Sequence, residues 1–231
     1  YYGGKRDQTS RNTRVKARVK AEALREFITV KDKIFVMGHQ LTDVDSFGAA
    51  IGIYRAANAL EKRAYIVINE VSASLKPLYT AYENNPDYPE RLFLNSAEAL
   101  ELADESSMVV VVDTNRPGMT ECEELLHVAK TIVVLDHHRQ SSDNIDNALL
   151  SYIEPYASSA CEMVSEVLQY IVDDIKIPNL EASSLYAGIM IDTNNFMNKT
   201  GVRTFEAAAF LRRSGADITL VRKMFRDDME S

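Results

Sequence analysis

Short apolar runs alternate with longer amphipathic segments over the first two-thirds of the chain. The runs are rich in valine and isoleucine, and nearly uninterrupted strands of this kind are typical of a parallel sheet that is covered on both faces. The predicted strands are residues 33–37, 64–68, 108–112, 131–135 and 149–153. The helical periods between them predict helices at residues 46–60, 72–82, 96–102 (with Ser96 as the cap) and 121–129.

The last third of the chain has only helical patterns. These predict helices at residues 158–172, 180–191, 204–213 and 218–226. Residues 13–28 predict a further helix, whose basic face could contact nucleic acid or a membrane. Because Glu22 and Glu26 interrupt that charge, we interpret it as a solvated linker helix. The expected fold class is α/β, with a parallel β-sheet that has helices on both faces, a helical C-terminal third and an N-terminal linker helix.

Composition and charge narrow the range of partners. Apolar residues make up 46% of the chain and charged residues 26%, as in ordinary soluble domains. The formal net charge of −8 argues against a protein that grips long nucleic acid. No run reaches the roughly 18 apolar residues of a membrane span, so we expect no membrane contact here. Two widely separated cysteines, Cys122 and Cys161, suit a reduced cytoplasmic setting.

Polar groups follow several of the predicted buried strands. The strand at 33–37 leads into a loop with one imidazole and two carboxylates, and the strands at 108–112 and 131–135 each end on an aspartate. A very apolar helix also ends on an acid, Asp192, for which an ion pair with Arg203 is the alternative explanation. The candidate residues are His39, Asp43, Asp45, Asp113, Asp136, His137, His138 and Asp192. Because the carboxyl ends of parallel strands share one edge, these groups should converge there.

Such a cluster would be unstable in a cleft without a cation. Oxygen and imidazole ligands suit Mn²⁺, Mg²⁺, Fe²⁺ or Zn²⁺. The number of ligands exceeds the four that one zinc ion usually binds. The set suits two ions about 3.5–4 Å apart that share a carboxylate, an arrangement that acts on phosphoryl groups. Asp113, which follows a central strand, is the expected bridge. Water held between the ions should lose its proton and attack phosphorus.

The order of these residues resembles a known family. Asp136-His137-His138 after a strand, with His39-x-x-x-Asp43-x-Asp45-Ser46, resembles the DHH phosphoesterase superfamily. The similarity includes Tyr152-Ile153-Glu154-Pro155, Asp192-Thr193-x-x-Phe196 and Gly201-Val202-Arg203-Thr204. As a set, these motifs resemble the GdpP-type branch, membrane proteins that hydrolyse cyclic di-AMP.

The resemblance implies a function for each position. His39, Asp43 and Asp113 would hold one Mn²⁺, with Mg²⁺, Fe²⁺ or Co²⁺ as other ions; Asp45, Asp113, His137 and Asp192 would hold a second. Asp113 and His138 would be catalytic, and His138, Arg139 and Arg203 would contact substrate. The implied reaction is hydrolysis of cyclic di-AMP to linear pApA by a hydroxide that two metal ions activate. The alternatives are an oligoribonuclease or pApA phosphatase of the same superfamily, and a metal- and nucleotide-binding module without turnover.

The resemblance also implies a domain organisation. Residues 1–30 are similar to the end of a degenerate GGDEF domain followed by the linker helix, and residues 31–231 to a DHH domain. The DHH-associated substrate-binding domain that follows in family members is not part of this sequence. We expect a cytoplasmic domain of a membrane-anchored protein, which binds a cyclic dinucleotide; a homodimer is left open.

Overall fold

The computed structural model describes the backbone of residues 3–226 and the side chains from residue 12 onward. Tyr1 and Tyr2, where the GGDEF-like similarity begins, and residues 227–231 lie outside the described part. The described residues form six strands: β1 (Lys33–Met37), β2 (Arg63–Val67), β3 (Phe93–Leu94), β4 (Met108–Val112), β5 (Thr131–Asp136) and β6 (Leu150–Ile153). The helices are α1 (Gly3–Thr29), α2 (Val44–Ala59), α3 (Lys76–Glu83), α4 (Ser96–Leu102), α5 (Leu125–Val128), α6 (Ala160–Ile171), α7 (Asn179–Asp192), α8 (Val202–Arg213) and α9 (Ile218–Met224), with a 3-10 turn at Pro117–Met119.

The strands form one parallel sheet in the order β3-β2-β1-β4-β5-β6. Val36 is in register with Ile66 of β2 on one side and Val110 of β4 on the other. The strand order reverses between β1 and β4, and ligands of open α/β sheets bind at such a switch point, beyond the carboxyl ends of the strands. We therefore expect a ligand site at the loops after β1 and β4.

Both faces of the sheet are buried, which explains the uninterrupted apolar strands. Along β4, Val110 and Val112 belong to the larger hydrophobic core, whereas Val109 and Val111 belong to the smaller one on the opposite face. The larger core contains α2, α6 and α7, and the smaller core contains residues of α4 and α5. The predicted α/β fold with helices on both faces is confirmed.

The helices of the larger core approach closely. A methyl group at Gly188 of α7 would lie only 2.3 Å from Sγ of Cys161 in α6. This contact requires glycine, and it brings α7 against the start of α6. The basic helix α1 packs on the same layer through Ala17, Ala21 and Leu24, all buried. None of the described helices is long and apolar enough to span a membrane.

Several predicted boundaries differ from the structure. Asn95, not Ser96, caps α4, because its side chain accepts a hydrogen bond from the backbone N–H of Glu98. The helix predicted from residue 72 begins only at Lys76, and the one predicted at 121–129 is a single turn. The two-residue β3 was not predicted, since Phe93 and Leu94 are too short a run to produce a pattern.

Candidate metal centre

The loop after β1 presents His39 and Asp43. Glycine is required at position 38, where the chain leaves β1, because a methyl group there would lie 2.8 Å from the Cβ of Ser46. Nδ1 of His39 lies 2.9 Å from the carbonyl oxygen of Gln40, to which it can donate. That bond leaves the lone pair of the neutral ring on Nε2, the nitrogen that faces the acids. Asp43 caps α2 by accepting from the N–H of Ser46 at 2.8 Å.

A buried acid on the neighbouring segment holds this loop in place. The carboxylate of Glu121 accepts hydrogen bonds from Thr42 Oγ1 at 2.9 Å and from Asn69 Nδ2 at 2.7 Å. Its backbone N–H donates to the carbonyl of Gly38 at 3.1 Å. Over the described residues no cationic side chain pairs with Glu121, which is 7% exposed. No pattern in the sequence indicates this function, because an acid between a turn and a short helix is indistinguishable from a surface charge.

Asp45 is fully buried at the start of α2. Its two carboxylate oxygens accept from the backbone N–H groups of Ala160 and Cys161, each at 2.9 Å. These donors are the first residues of α6, so the positive end of that helix faces the carboxylate. Even so, burial, followed by the charges of Asp113 and Asp192, raises the pKa of Asp45 well above its ordinary value.

Asp113 lies at the middle of the cluster, directly after β4. One of its oxygens accepts from Ser46 Oγ at 2.8 Å and lies 3.4 Å from Nε2 of His39, while the other lies 3.0 Å from Nε2 of His137. Burial alone would raise the pKa of Asp113, but hydrogen bonds from His137 and His39 hold it below its ordinary value. Hydrogen bonds to Asp113 and then Asp43 raise the pKa of His39 to about 11.

His137 and Asp192 complete the deep end of the cleft. Nε2 of His137 lies 3.7 Å from an oxygen of Asp45 and 3.7 Å from one of Asp192. Asp192 is the last residue of α7. Burial, and then the charge of Asp113, raises its pKa to about 6. Asp192 therefore faces the cluster and does not pair with Arg203.

His138 is oriented by a buried carboxylate. Its Nδ1 lies 2.7 Å from an oxygen of Asp136, and this hydrogen bond raises the pKa of His138. Asp136 is held in turn by Nδ2 of Asn115 at 2.6 Å and by the backbone N–H of His137 at 2.8 Å. Asn115 was not predicted as a site residue. It follows Asp113 by two residues, and a polar side chain at that position after a strand could have indicated it.

The predicted metal ligands fall into two groups that could each hold an ion. His39, Asp43 and Asp113 form one, and Asp45, His137 and Asp192 form the other; within each, the ligand atoms lie within 4.8 Å of one another. Four carboxylates here face two imidazoles, and across residues 12–226 no lysine or arginine pairs with any of them. Oxygen donors with imidazoles and no thiolate fit Mn²⁺ or a similar divalent cation.

A cavity of about 600 Å³ opens over the cluster. Arg139 lines it, as do two cationic residues that the sequence analysis did not single out, Arg116 and Lys199. The structure does not bring Arg203 to this cavity. Its guanidinium pairs with Glu166 at 3.0 Å and lies 3.5 Å from Glu154, because α8 presents it toward α6.

Known proteins are similar to this chain in sequence and in fold. The chain is 41% identical over 233 residues to the cyclic-di-AMP phosphodiesterase GdpP of Bacillus subtilis, covering all of this chain and 35% of that protein. The chain thus spans about a third of that relative's length.

Two solved structures share the fold. An exopolyphosphatase-related protein from Bacteroides fragilis superimposes with a TM-score of 0.73 at 20% identity, over 90% of this chain and 60% of that one. An exonuclease RecJ bound to manganese gives a TM-score of 0.50 at 17% identity, over 86% and 46%. The description of the DHH family, N-terminal domain, matches residues 33–189. The chain therefore belongs to the DHH family.

Proposed function

We propose that this chain is a metal-dependent phosphodiesterase that hydrolyses cyclic di-AMP to linear pApA. The observation that carries the proposal is the position of Asp113, whose two carboxylate oxygens face His39 and His137 on opposite sides. A carboxylate with a nitrogen ligand on each side suits the shared ligand of a two-metal site. The substrate class comes from the similar GdpP protein, whose name states that activity.

The residues fit a pair of divalent cations, and we propose Mn²⁺, the ion bound in the RecJ structure. His39, Asp43 and Asp113 would hold one ion, and Asp45, Asp113, His137 and Asp192 the other. Bound there, the cations supply Lewis acidity and lower the pKa of water. The chain itself orients the ligands, through Nδ1 of His39 on the Gln40 carbonyl and through α6 on Asp45.

His138 is proposed to contact the phosphate that is hydrolysed, and Arg139 is proposed to contact the substrate. His138 is held by Asp136, and its raised pKa favours the charged imidazolium, which can donate to a phosphate oxygen and stabilise charge that develops there. Arg139 lines the same cavity and can donate to phosphate. Arg203 is left out of the proposal, because its donors are already engaged by carboxylates.

The chain is further proposed to be the cytoplasmic part of a longer, membrane-anchored protein. In that arrangement residues 1–30 lead from a preceding GGDEF-like domain into the DHH domain at 31–231. The greater length of its relative supports this organisation. Sedimentation of the chain would test the open prediction of a homodimer.

The test is chromatography of cyclic di-AMP incubated with the chain and Mn²⁺. We expect pApA as product, and Asp113→Asn should lower turnover by more than about a hundredfold, since loss of outer partners of metal ligands alone costs about 10–100-fold. Asp143→Asn, at an exposed loop position outside the cavity, is the matched control.

The same assay separates the alternatives. Release of AMP from pApA, without opening of the cyclic substrate, would indicate the oligoribonuclease or pApA phosphatase function. Binding of Mn²⁺ and nucleotide with no product from either substrate would indicate a binding module. Full activity of Asp113→Asn would contradict the proposed centre.

A further inference from the structure

Three cationic side chains line the outer part of the cavity and have no function in the metal centre. They are Arg116 after β4, Arg139 after β5 and Lys199 after α7, and all three are exposed. Each comes from a different loop at the carboxyl edge of the sheet. Within the described part of the chain, no carboxylate lies within ion-pair distance of any of them.

Elsewhere on this acidic chain, some cations are paired. Arg14 pairs with Glu206, Lys33 with Asp104, and Lys130 with Glu105. Other exposed cations in the described part, such as Lys76, Lys176 and Lys223, also have no carboxylate within ion-pair distance, so a missing partner alone does not indicate a site. Arg116, Arg139 and Lys199 differ from these because three separate loops bring them to the lining of one cavity, which points to an anionic ligand there.

The charges at the two ends of the cavity indicate which anion. The deep end holds Asp45, Asp113 and Asp192, with the more exposed Asp43 nearby, and these carboxylates would repel a phosphate unless divalent cations balance them. A phosphodiester that binds such cations is neutralised at the deep end. It does not require three further positive charges at the rim. A cyclic dinucleotide, however, carries a second phosphodiester, which has to be neutralised outside the centre.

We propose that Arg116 and Lys199, together with Arg139, form a second anion subsite. It binds the phosphodiester of the cyclic dinucleotide that is not being hydrolysed. This inference rests on the proposed function, and it assigns the preference for a substrate with two phosphates to residues of this chain. The guanidinium groups can donate in pairs to phosphate oxygens, and the flexible ammonium of Lys199 adds a point charge.

The test compares two substrates that differ in their number of phosphates. Cyclic di-AMP has two phosphodiesters, and bis(p-nitrophenyl) phosphate has one. Arg116→Gln and Lys199→Gln should each raise KM for cyclic di-AMP by about three- to tenfold, as expected for one partly exposed charge-assisted contact. The kcat for cyclic di-AMP and both constants for bis(p-nitrophenyl) phosphate should stay as in the wild type.

Lys223→Gln is the matched control, because Lys223 is an exposed lysine of α9 outside the cavity. It should change neither substrate's kinetics. Equal changes in KM for both substrates in Arg116→Gln and Lys199→Gln would place these residues at the reacting phosphate and overturn the proposal. Unchanged KM values for cyclic di-AMP would overturn it as well.

Failure of the proposed function gives a different result. If the wild-type chain with Mn²⁺ turns over neither substrate, calorimetry with cyclic di-AMP and Mn²⁺ replaces the kinetic assay. A tenfold or greater loss of affinity in the Arg116→Gln/Lys199→Gln double variant, with Lys223→Gln unchanged, supports the subsite. Equal affinities of wild type and double variant overturn it.

Discussion

At the scale of single residues, Asp113 combines a buried charge with an unusual backbone. Its φ angle is +62°, in the left-handed region that non-glycine residues rarely adopt, and in which aspartate is among the better tolerated. Its N–H still donates to the carbonyl of Leu135 at 3.0 Å, so the chain turns immediately after its last bond to β5. Such conformations concentrate at functional sites. Here the turn accompanies a carboxylate that lies between two imidazoles.

Glu121→Gln tests whether a carboxylate away from the cluster positions its ligands. Oε1 of Glu121 now accepts from Thr42 and Oε2 accepts from Asn69, and the amide NH₂ would replace one of these acceptors with a donor. An unmet buried hydrogen bond of this kind should lower the free energy of unfolding by about 1–3 kcal/mol. The loop with His39 and Asp43 should then bind Mn²⁺ more weakly, by about 10–100-fold. Urea unfolding and a Mn²⁺ titration followed by electron paramagnetic resonance measure the two effects.

The control for that variant is Glu123→Gln, an exposed acid two residues further on. It should leave both the free energy of unfolding and Mn²⁺ affinity unchanged. A Glu121→Gln protein that is less stable but binds Mn²⁺ as the wild type does would show a merely structural function of Glu121. Rescue of Mn²⁺ affinity by Glu121→Asp would support the positioning function.

At the scale of elements, the strands were predictable because both faces of the sheet are buried. Five of the six strands, including β4 and β5, follow from continuous apolar runs, and the aspartates that end them follow from the same pattern. Element ends were less predictable. The start of α3 at Lys76 depends on Leu75 packing in the core, and the cap of α4 on the side chain of Asn95. These two helix boundaries depend on tertiary packing and on a local side-chain hydrogen bond. The spacing of hydrophobic residues along the sequence reports neither.

The ion pair between Glu166 of α6 and Arg203 of α8 leads us to expect that stability depends on pH. Burial raises the pKa of Glu166 to about 7, although Arg203 opposes the shift. Because the folded state holds this proton more tightly than the unfolded state, the free energy of unfolding should fall as pH rises from about 4.5 to about 7. The contribution of this group should be on the order of 3 kcal/mol, at about 1.36 kcal/mol for each pKa unit.

Urea unfolding of wild type and Glu166→Gln between pH 4.5 and 8 checks this prediction. The variant loses the ion pair with Arg203 at all pH values, so the informative quantity is the difference between the two pH slopes. The wild type should lose more stability across the interval than Glu166→Gln does. Parallel curves would contradict the raised pKa.

At the scale of the whole molecule, the sequence predicted which residue types converge but not the direction of every side chain. The predicted ligands that follow β1, β4 and β5 lie together because the sheet topology brings their loops to one edge, and the packing of α7 against α6 adds Asp192. Arg203 was placed with the substrate by resemblance, yet the structure turns it toward Glu166. Arg116 and Lys199 were missed because a lone cation in a loop has no periodic signal. Side-chain direction in loops depends on tertiary packing that no pattern in the sequence reports.

Cation binding should stabilise the entire fold. A ligand that binds the folded state alone, at about 100 times its Kd, adds about 2.7 kcal/mol to the free energy of unfolding. For a domain of this size, that corresponds to a rise in Tm of about 5–10 °C. Differential scanning calorimetry with Mn²⁺, and then with excess chelator, measures the change.

Asp113→Asn provides the comparison for this measurement. Its Tm should respond to Mn²⁺ much less than that of the wild type, because it loses the carboxylate that both groups of ligands approach. A wild-type Tm that is independent of Mn²⁺ and chelator would contradict a metal centre at this edge.

The spacing of the ligands along the chain, from His39 to Asp192, has a consequence for biosynthesis. No stretch of the nascent polypeptide holds more than a few of the donors, in contrast to a zinc finger, whose ligands are close in sequence. The second group is therefore incomplete until α7 has emerged from the ribosome and packed. An ion in the second group would therefore bind only after α2, the end of β5 and α7 have come together, whereas all ligands of the first group precede residue 114.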